Sequence, residues 1–393
     1  MTDVADLLAR HQAVEDPQEF YDELRAHGPM VWVDTLDRWL VTGHRHAVTM
    51  LRHPDASNDR RNGDGYELPP GLDRPPGGMA AMDPPDHTRL RSLVQQAFTP
   101  RLVYRLQPRV EELTDKLLVE AGAVGELDLV RDLAYPLSST VLAELLGIPA
   151  EEQDRFGRWT ITFIDTFDPV SHRMRSDEGV AAYEELRQFL VDVIAERRRH
   201  PRPDLISGLI EAEERGDRLT SEELLDMCLL LTVAGLETTA NLIGNGLNAL
   251  TAHPQQMARL RAQPELIDTA IEELLRFDPP VQVSGRVARR DIDVDGQVWR
   301  RGQVAGILLG AANRDPDVFS APHRLDLTRR PNNPLGFGRG IHFCLGAPLA
   351  RLEGSTALLA LVRRFPDLHR SAPARRRANV HVRGFASLPV RLR

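Results

Sequence analysis

Residues 335–353 read LGFGRGIHFCLGAPLARLE and place one cysteine, Cys344, between a glycine-rich turn and an apolar helix. Gly338 and Gly340 allow the backbone to turn tightly before the cysteine, and Gly346 lets the helix approach a flat ligand without an intervening side chain. At a helix N-terminus the dipole and the free backbone N–H groups lower the pKa of a thiol and stabilise the thiolate. We therefore expect Cys344 to be the reactive residue of this segment.

Other interpretations of this segment remain open from the residues alone. A phosphate-binding loop is weakly supported, because GFGRGIHF lacks the last glycine of G-x-G-x-x-G and no Gly-Lys-Ser/Thr sequence follows. A cysteine nucleophile assisted by His342 is compatible with the sequence. A buried structural cysteine is the usual role of a free thiol, and it is the role expected for Cys228 on a long apolar helix.

The composition is that of a large globular chain. With 393 residues, 42% of them hydrophobic, the chain has enough apolar surface for a large core. Two cysteines are too few for a disulfide framework, and no C-x-x-C sequence indicates a zinc cluster or a covalently attached cofactor. The net charge of -8 gives no general attraction to nucleic acid.

The sequence also predicts a soluble, cytoplasmic protein. The N-terminus, MTDVADLLAR, has early acidic residues and no apolar core, which argues against a signal peptide. The longest apolar run, residues 227–236, contains Thr232 and Gly235, so no membrane span is expected.

Helical patterns dominate the chain. Leucine and valine recur at three- and four-residue spacings in 109–121, 138–146, 180–199 and 221–250, which predicts four helices. Alternating or β-branched residues predict strands in 30–41, 281–298 and 380–391, and the proline- and glycine-rich segment 68–78 predicts an irregular loop. These patterns predict a fold that is mainly α with a minor antiparallel β part, whose sheet pairs distant segments of one domain.

The cysteine segment resembles the F-x-x-G-x-[HR]-x-C-x-G signature of the cytochrome P-450 family, with Phe337, Gly340, His342, Cys344 and Gly346 in register. The resemblance implies that Cys344 is the proximal iron ligand of haem b, iron protoporphyrin IX, and that its thiolate favours O–O cleavage. It also implies the triangular, mostly helical prism of soluble bacterial members, as one domain over residues 1–393.

Two further motifs occur in the family's order. Glu273 and Arg276 fit E-x-x-R, a spacing that places carboxylate and guanidinium on one helix face. In the family this pair joins a later P-x-R segment, here residues 322–324, in a structural role. Residues 234–239, AGLETT, resemble the oxygen-activation motif A-G-x-[DE]-T-T.

The resemblance implies roles for four of the six residues of AGLETT. Ala234 and Gly235 lie over the haem, where the glycine leaves room above the iron, Thr238 donates a hydrogen bond to bound dioxygen, and Glu237 relays protons from solvent. Without the cysteine segment, the preferred interpretation would be a threonine-rich helix that satisfies its own carbonyl groups.

The two haem propionates need cationic partners when they are buried. Residues 86–91, DHTRLR, resemble an H-x-x-x-R segment of the family's third major helix, while Arg286 follows the helix of Glu273 and His342 precedes the cysteine. We expect Glu237 and Thr238 to be catalytic and the cofactor to be bound by His87, Arg91, Ala234, Gly235, Arg286, Phe337, Gly338, His342, Cys344 and Gly346.

The resemblance implies a monooxygenase that inserts one oxygen atom of dioxygen into a small apolar substrate. Because the chain has no flavin or nicotinamide fingerprint, a separate ferredoxin and ferredoxin reductase are expected to supply electrons, with Arg101, Arg105 and Arg339 as candidate contacts. Similarity to actinobacterial members favours hydroxylation or epoxidation of a macrolide or other polyketide-type secondary metabolite. The alternatives are a peroxide-driven oxidase, an aryl-coupling oxidase and, least favoured, a haem sensor without turnover.

Overall fold

The computed structural model describes residues 17–66, 78–168, 173–174, 176–214, 219–377, 379 and 381–392. The N-terminal segment 1–16 lies outside the described residues, as does the predicted loop 68–78 apart from Gly78. The helices are α1 Gln18–Arg25, α2 His44–Arg52, α3 Asp86–Ala97, α4 Pro100–Val124, α5 Tyr135–Leu146, α6 Gln153–Thr166, α7 Asp177–Arg199, α8 Leu205–Glu214, α9 Ser221–Ala252, α10 Pro254–Ala262, α11 Ile267–Phe277, α12 Leu309–Ala312 and α13 Ala347–Arg364.

The strands are short and lie mainly near the two ends of the chain. They are β1 Met30–Val33, β2 Arg38–Val41, β3 Ala56–Ser57, β4 Glu126–Asp128, β5 Phe167–Asp168, β6 Arg173–Met174, β7 Val283–Ala288, β8 Ile292–Val294, β9 Gln297–Trp299, β10 Val304–Leu308, β11 His369–Arg370, β12 Arg375–Arg376, β13 Phe385–Ser387 and β14 Pro389–Arg391.

The four helices predicted from periodicity are confirmed as α4, α5, α7 and α9. Helix α9 begins with a capping box, because the Thr220 hydroxyl accepts from the N–H of Glu223 and the Glu223 carboxylate accepts from the N–H of Thr220. The three predicted strand regions are also confirmed, so the fold class follows from local pattern alone.

Helix α9 is more apolar as a whole than its interrupted runs suggest. Among the described helices it is long and apolar enough to cross a membrane, with a mean hydropathy of 1.4, although 67% of that window is buried inside the protein. The expectation that no segment fits a span is thus wrong by length and hydropathy. The burial is that of a core helix, and Cys228 on it is fully buried, as expected.

The chain divides into two compact units. The first unit comprises Met1–Tyr66, Glu111–Ala134 and Thr238–Arg393, and the second comprises Glu67–Val110 and Tyr135–Glu237. Helix α9 therefore contributes its first half to the second unit and its second half, from Thr238 onward, to the first.

The first unit contains a five-stranded sheet of order β1-β2-β10-β7-β3. Strand β10 runs parallel to β2, and the other pairs are antiparallel. The sheet thus joins the N-terminal strands to residues 283–308, as predicted. The C-terminal strands instead belong to smaller sheets, where β13 pairs with β12, and β14 with β4 and β11.

Both faces of this sheet are buried. Neighbouring residues such as Ile307 and Leu308 point to opposite faces, since side chains alternate along a strand. Ile307 packs in a cluster with Met50 of α2 and Trp299 of β9, whereas Leu308 packs in a second cluster with Leu24 of α1. The sheet is therefore fixed from both sides, and so are the loops that leave its edges.

Candidate active site

The loop before Cys344 folds back on itself through two backbone hydrogen bonds. The N–H of Gly338 donates to the carbonyl of Leu335 at 2.8 Å, and the N–H of Cys344 donates to the carbonyl of Phe337 at 2.9 Å. Gly338 and Gly340 have φ angles of +71° and +74°, where other residues are strained. The tight turn expected from the sequence is present, and Cys344 follows it just before α13 begins at Ala347.

Two glycines permit close approach around the thiol. A Cβ on Gly340 would lie 2.6 Å from the backbone oxygen of Leu51, so only glycine lets this loop pack against the end of α2. A Cβ on Gly346 would lie 4.0 Å from the sulfur of Cys344. Glycine at this position leaves the partly exposed thiol uncovered on that side.

Aromatic and cationic side chains surround the loop. The Phe337 and Phe343 rings are 6.3 Å apart in an edge-to-face arrangement, and the Arg351 guanidinium lies 4.6 Å from the Phe337 ring centroid. Burial lowers the pKa of Arg339, and the Arg52 cation lowers it further. Arg339, Arg351 and Arg52 thus bring positive charge to the loop. The other two candidate contacts for a redox partner, Arg101 and Arg105, are exposed on α4 in the second unit.

The predicted Glu273–Arg276 pair is confirmed. Both side chains are fully buried, and two hydrogen bonds of 2.7 and 2.9 Å join the guanidinium to the carboxylate. Arg276 also donates to the carbonyl groups of Asn313, Pro322 and Arg324. The pair thus ties α11 to the segment that precedes the cysteine loop.

The expected link from the pair to residues 322–324 is confirmed, and backbone carbonyl groups make it. Residues 322–324 contribute backbone carbonyl groups, while the second guanidinium on Glu273 belongs to Arg329, whose Nε lies 3.1 and 3.2 Å from the two carboxylate oxygens. The sequence analysis did not include Arg329 in this network. Spacing alone gives no reason to prefer Arg329 over Arg324, because the choice depends on how the intervening loop folds.

The AGLETT residues lie in mid-helix on α9. Ala234 is exposed and Thr238 is half-buried, although residues 241–248 of the same helix are all buried. Glu237 is 6% exposed. A Cβ on Gly235 would lie 3.2 Å from Leu142 of α5, so glycine here also allows two helices of the second unit to pack closely.

The proposed propionate partners occupy both units. His87 and Arg91 lie on α3 in the second unit, and His87 is 2% exposed. Burial, and then the Arg91 cation, lower the pKa of His87, so this imidazole is neutral near pH 7 and acts as a hydrogen-bonding group. In the first unit Arg286 is buried on β7 and donates to Ser284 and to the carbonyl of Gly285, while His342 is half-buried in the cysteine loop.

The donor set around Cys344 fits haem better than a protein-only metal site. Within the part of the chain that the structure describes, no three His, Cys, Asp or Glu side chains are grouped to hold a metal ion. A single thiol suits iron whose in-plane positions are already filled by a porphyrin. The uncovered sulfur beside Gly346 is compatible with such a flat ligand.

One charged cluster in the first unit was not predicted from the sequence. Asp278 accepts hydrogen bonds from Arg376 and Arg383 at 3.0 and 2.9 Å, and all three side chains are at least 89% buried. Burial alone would raise the pKa of Asp278, but the surrounding guanidinium groups outweigh it and hold the pKa below its ordinary value. Arg376 also covers the ring of Phe385 at 3.8 Å. The cluster holds the C-terminal strands in place, and no short sequence motif predicts it.

The chain is similar to known proteins over most of its length. The cytochrome P-450 family model matches residues 8–371. The polyketide biosynthesis cytochrome P-450 PksS of Bacillus subtilis is 42% identical, over 91% of this chain and 90% of its own length. The monooxygenase PikC of Streptomyces venezuelae is also 42% identical, over 96% and 91%.

Solved structures give the same result. Ligand-free CYP164A2 of Mycobacterium smegmatis superimposes with a TM-score of 0.89 at 39% identity, covering 99% of each chain. With a family model that spans most of its length and relatives that share two fifths of its residues, the chain belongs to the cytochrome P-450 family and is an oxidoreductase of the monooxygenase type.

Proposed function

We propose that this enzyme uses haem b and dioxygen to hydroxylate or epoxidise a macrolide or other polyketide-type secondary metabolite. The observation that carries the proposal is the cysteine loop, in which Cys344 forms no disulfide, has a partly exposed side chain and lies beside Gly346 just before α13. Bound haem supplies the activation of dioxygen, which amino-acid side chains cannot provide. The 393 residues act as one cytoplasmic domain, and electrons come from a separate ferredoxin and its reductase.

The chain's own residues bind and orient the cofactor. When haem is bound, Cys344 would supply the thiolate ligand, Phe337 and Gly338 would shape the loop that holds the cofactor, and Arg286 would supply a buried cation for a propionate. His87 donates a hydrogen bond as a neutral imidazole, because burial and Arg91 keep its pKa low. His342 and Arg91 complete this proposed propionate set.

Two adjacent residues of α9 move protons. Glu237 is nearly buried and supplies a carboxylate, while the Thr238 hydroxyl on the next residue retains exposure in mid-helix. An acid and an alcohol in succession can pass a proton from the carboxylate to the hydroxyl and then to the reacting oxygen. Ala234 and Gly235 keep the helix surface small beside them.

The substrate class is argued from relatives and from apolar side chains. PikC and the 6-deoxyerythronolide B hydroxylase of Saccharopolyspora erythraea, which is 39% identical, cover this chain almost end to end, and PksS is named for polyketide biosynthesis. We infer from the family resemblance that residues 281–283 and 385–386 border the substrate, and four of these five residues, Val281, Val283, Phe385 and Ala386, are apolar. A bulky apolar ligand would gain its affinity by burying such surface.

Thiolate ligation is tested by the spectrum of the reduced carbon monoxide complex. Holoprotein with a Cys344 thiolate should give the red-shifted band typical of haem-thiolate proteins, and Cys344→His should move it to the position typical of histidine ligation. A histidine-like band in well-folded wild type would contradict the assignment of Cys344.

Proton delivery is tested with a matched pair of variants. Thr238→Ala should keep haem and the carbon monoxide spectrum but lose most product formed per NAD(P)H, because the hydroxyl is gone. Thr238→Ser and the neighbouring Thr239→Ala should retain coupling. Equal coupling in Thr238→Ala and wild type would remove Thr238 from the mechanism without affecting the cofactor assignment.

A further inference from the structure

A polar pocket lies at one edge of the five-stranded sheet, entirely within the first unit. Its volume is about 470 Å³, and it is bounded by the end of β7, the turn after β3 and the turn after β9. The lining residues are Asp55, Arg61, Asn62, Gly63, Asp64, Arg289, Arg290 and Arg301. None of them belongs to the haem site described above.

Positive charge predominates in this lining, which has four arginines and two aspartates. The arginines come from three Arg-Arg pairs in the sequence, at 60–61, 289–290 and 300–301, which the fold brings to one place. The Asp55 carboxylate lies 3.4 Å from Arg289 and 3.7 Å from Arg290, so these two neighbouring arginines share it. The guanidinium groups therefore outnumber the carboxylates available to neutralise them.

The lining arginines differ in how far protein acceptors already satisfy their guanidinium groups. Arg61 is held by both oxygens of Asp59, so it contributes little free charge. Arg290 is 80% exposed at its side chain, and Arg301 makes no side-chain hydrogen bond or ion pair with a described residue. Arg289 keeps a buried Nε–H that has no acceptor among the described residues. The pocket thus presents hydrogen-bond donors that lack protein acceptors.

The pocket walls are fixed before any ligand arrives. Strand β3 pairs with β7 at the floor, and Trp299, fully buried in the sheet core, anchors the hairpin that leads to Arg301. The N–H of Asp64 donates to the carbonyl of Gly302, which closes the opposite wall. Because the backbone that carries these arginines is held in place, less conformational entropy is lost on anion binding than if the loops also had to be ordered.

We propose that this pocket binds a small phosphate-bearing anion, such as a phosphate monoester or a diphosphate. Guanidinium groups suit phosphate because they donate two parallel, charge-assisted hydrogen bonds. The volume accommodates a diphosphate or a phosphorylated small molecule rather than a single chloride ion. A divalent cation is disfavoured, because four arginines would repel it.

The test is calorimetric titration of the holoprotein with pyrophosphate, glycerol phosphate and hexaglutamate at about 0.15 M ionic strength. Pyrophosphate or glycerol phosphate should bind saturably, and the tighter of the two identifies the kind of phosphate. Arg301→Gln and Arg290→Gln should each weaken binding about tenfold. Arg300→Gln, an exposed neighbour outside the lining, should leave it unchanged.

Three results would overturn the proposal. One is the absence of saturable binding of either phosphate at millimolar concentration. Another is an equal loss of affinity in Arg300→Gln and Arg301→Gln, which would show general charge attraction. The third is tighter binding of hexaglutamate than of either phosphate, which would assign the face to an acidic protein partner. Circular dichroism of each variant verifies that the fold is intact.

Discussion

Replacing Arg276 by methionine should destabilise the protein severely while leaving the cysteine loop's own residues untouched. The guanidinium makes two hydrogen bonds to Glu273 and donates to three backbone carbonyl groups. Methionine has a similar length but no donor. The variant therefore leaves a fully buried carboxylate short of one cation and leaves three carbonyl groups to find other partners.

The expected cost is about 3 to 5 kcal/mol, the range measured when one member of a buried ion pair is removed. Glu273 keeps its bonds to Arg329, Asn332 and the N–H of Asp326, which favours the lower part of that range. The loss of three hydrogen bonds to carbonyl groups increases the expected cost. Since domains are stable by only about 5 to 15 kcal/mol, a large share of the stability would be lost.

The assay is urea unfolding followed by circular dichroism, together with haem content per chain. Arg259→Met on the neighbouring helix α10 is the matched control, because its exposed side chain makes only marginal bonds of 3.4 Å. Its cost should stay within about 0.5 kcal/mol. If Arg276→Met unfolds at the same urea concentration as Arg259→Met, the network does not hold the structure as argued.

Three other outcomes are expected. Asp278→Asn should lower the free energy of unfolding by about 3 kcal/mol near pH 7. This difference from wild type in urea unfolding should shrink as the pH falls below about 4, because the pKa of Asp278 is lowered in the folded protein and only its charged form is stabilised. A difference that stays constant with pH would contradict this. Gly340→Ala should lower the melting temperature more than Gly125→Ala, since both have positive φ but only the first Cβ meets the backbone of Leu51; equal melting temperatures would refute it. Burial raises the pKa of Cys228 to about 12, so iodoacetamide at pH 8 should label it only after unfolding, and labelling of native protein detected by mass spectrometry would disprove this.

Local patterns predicted four of the longer described helices and the turn of the cysteine loop. Residues three and four apart share a helix face, so the periodicity of 221–250 was enough to predict α9. The tight turn at Gly338 and Gly340 was also predictable, because glycine is the residue that tolerates the positive φ angles found there. Membership in the cytochrome P-450 family followed from motifs in the correct order.

Contacts between distant segments were predicted less well. The E-x-x-R pair was predicted because its two members are one helical turn apart, but Arg329 was missed because a folded loop brings it to Glu273. Asp278 was missed for the same reason, since its partners Arg376 and Arg383 come from the C-terminal region. A short-range pattern contains no information about such encounters.

The amino-acid sequence by itself determined the helical class, the turn of the cysteine loop and the pair on α11, because each depends on neighbours within a few residues. Only the tertiary structure decided which carbonyl groups accept hydrogen bonds from Arg276, that Gly235 packs closely against Leu142, and that arginines from three separate Arg-Arg pairs line one pocket. The physical reason is that packing and charge act through space. Segments far apart in the chain interact only after the sheet and helices have brought them together.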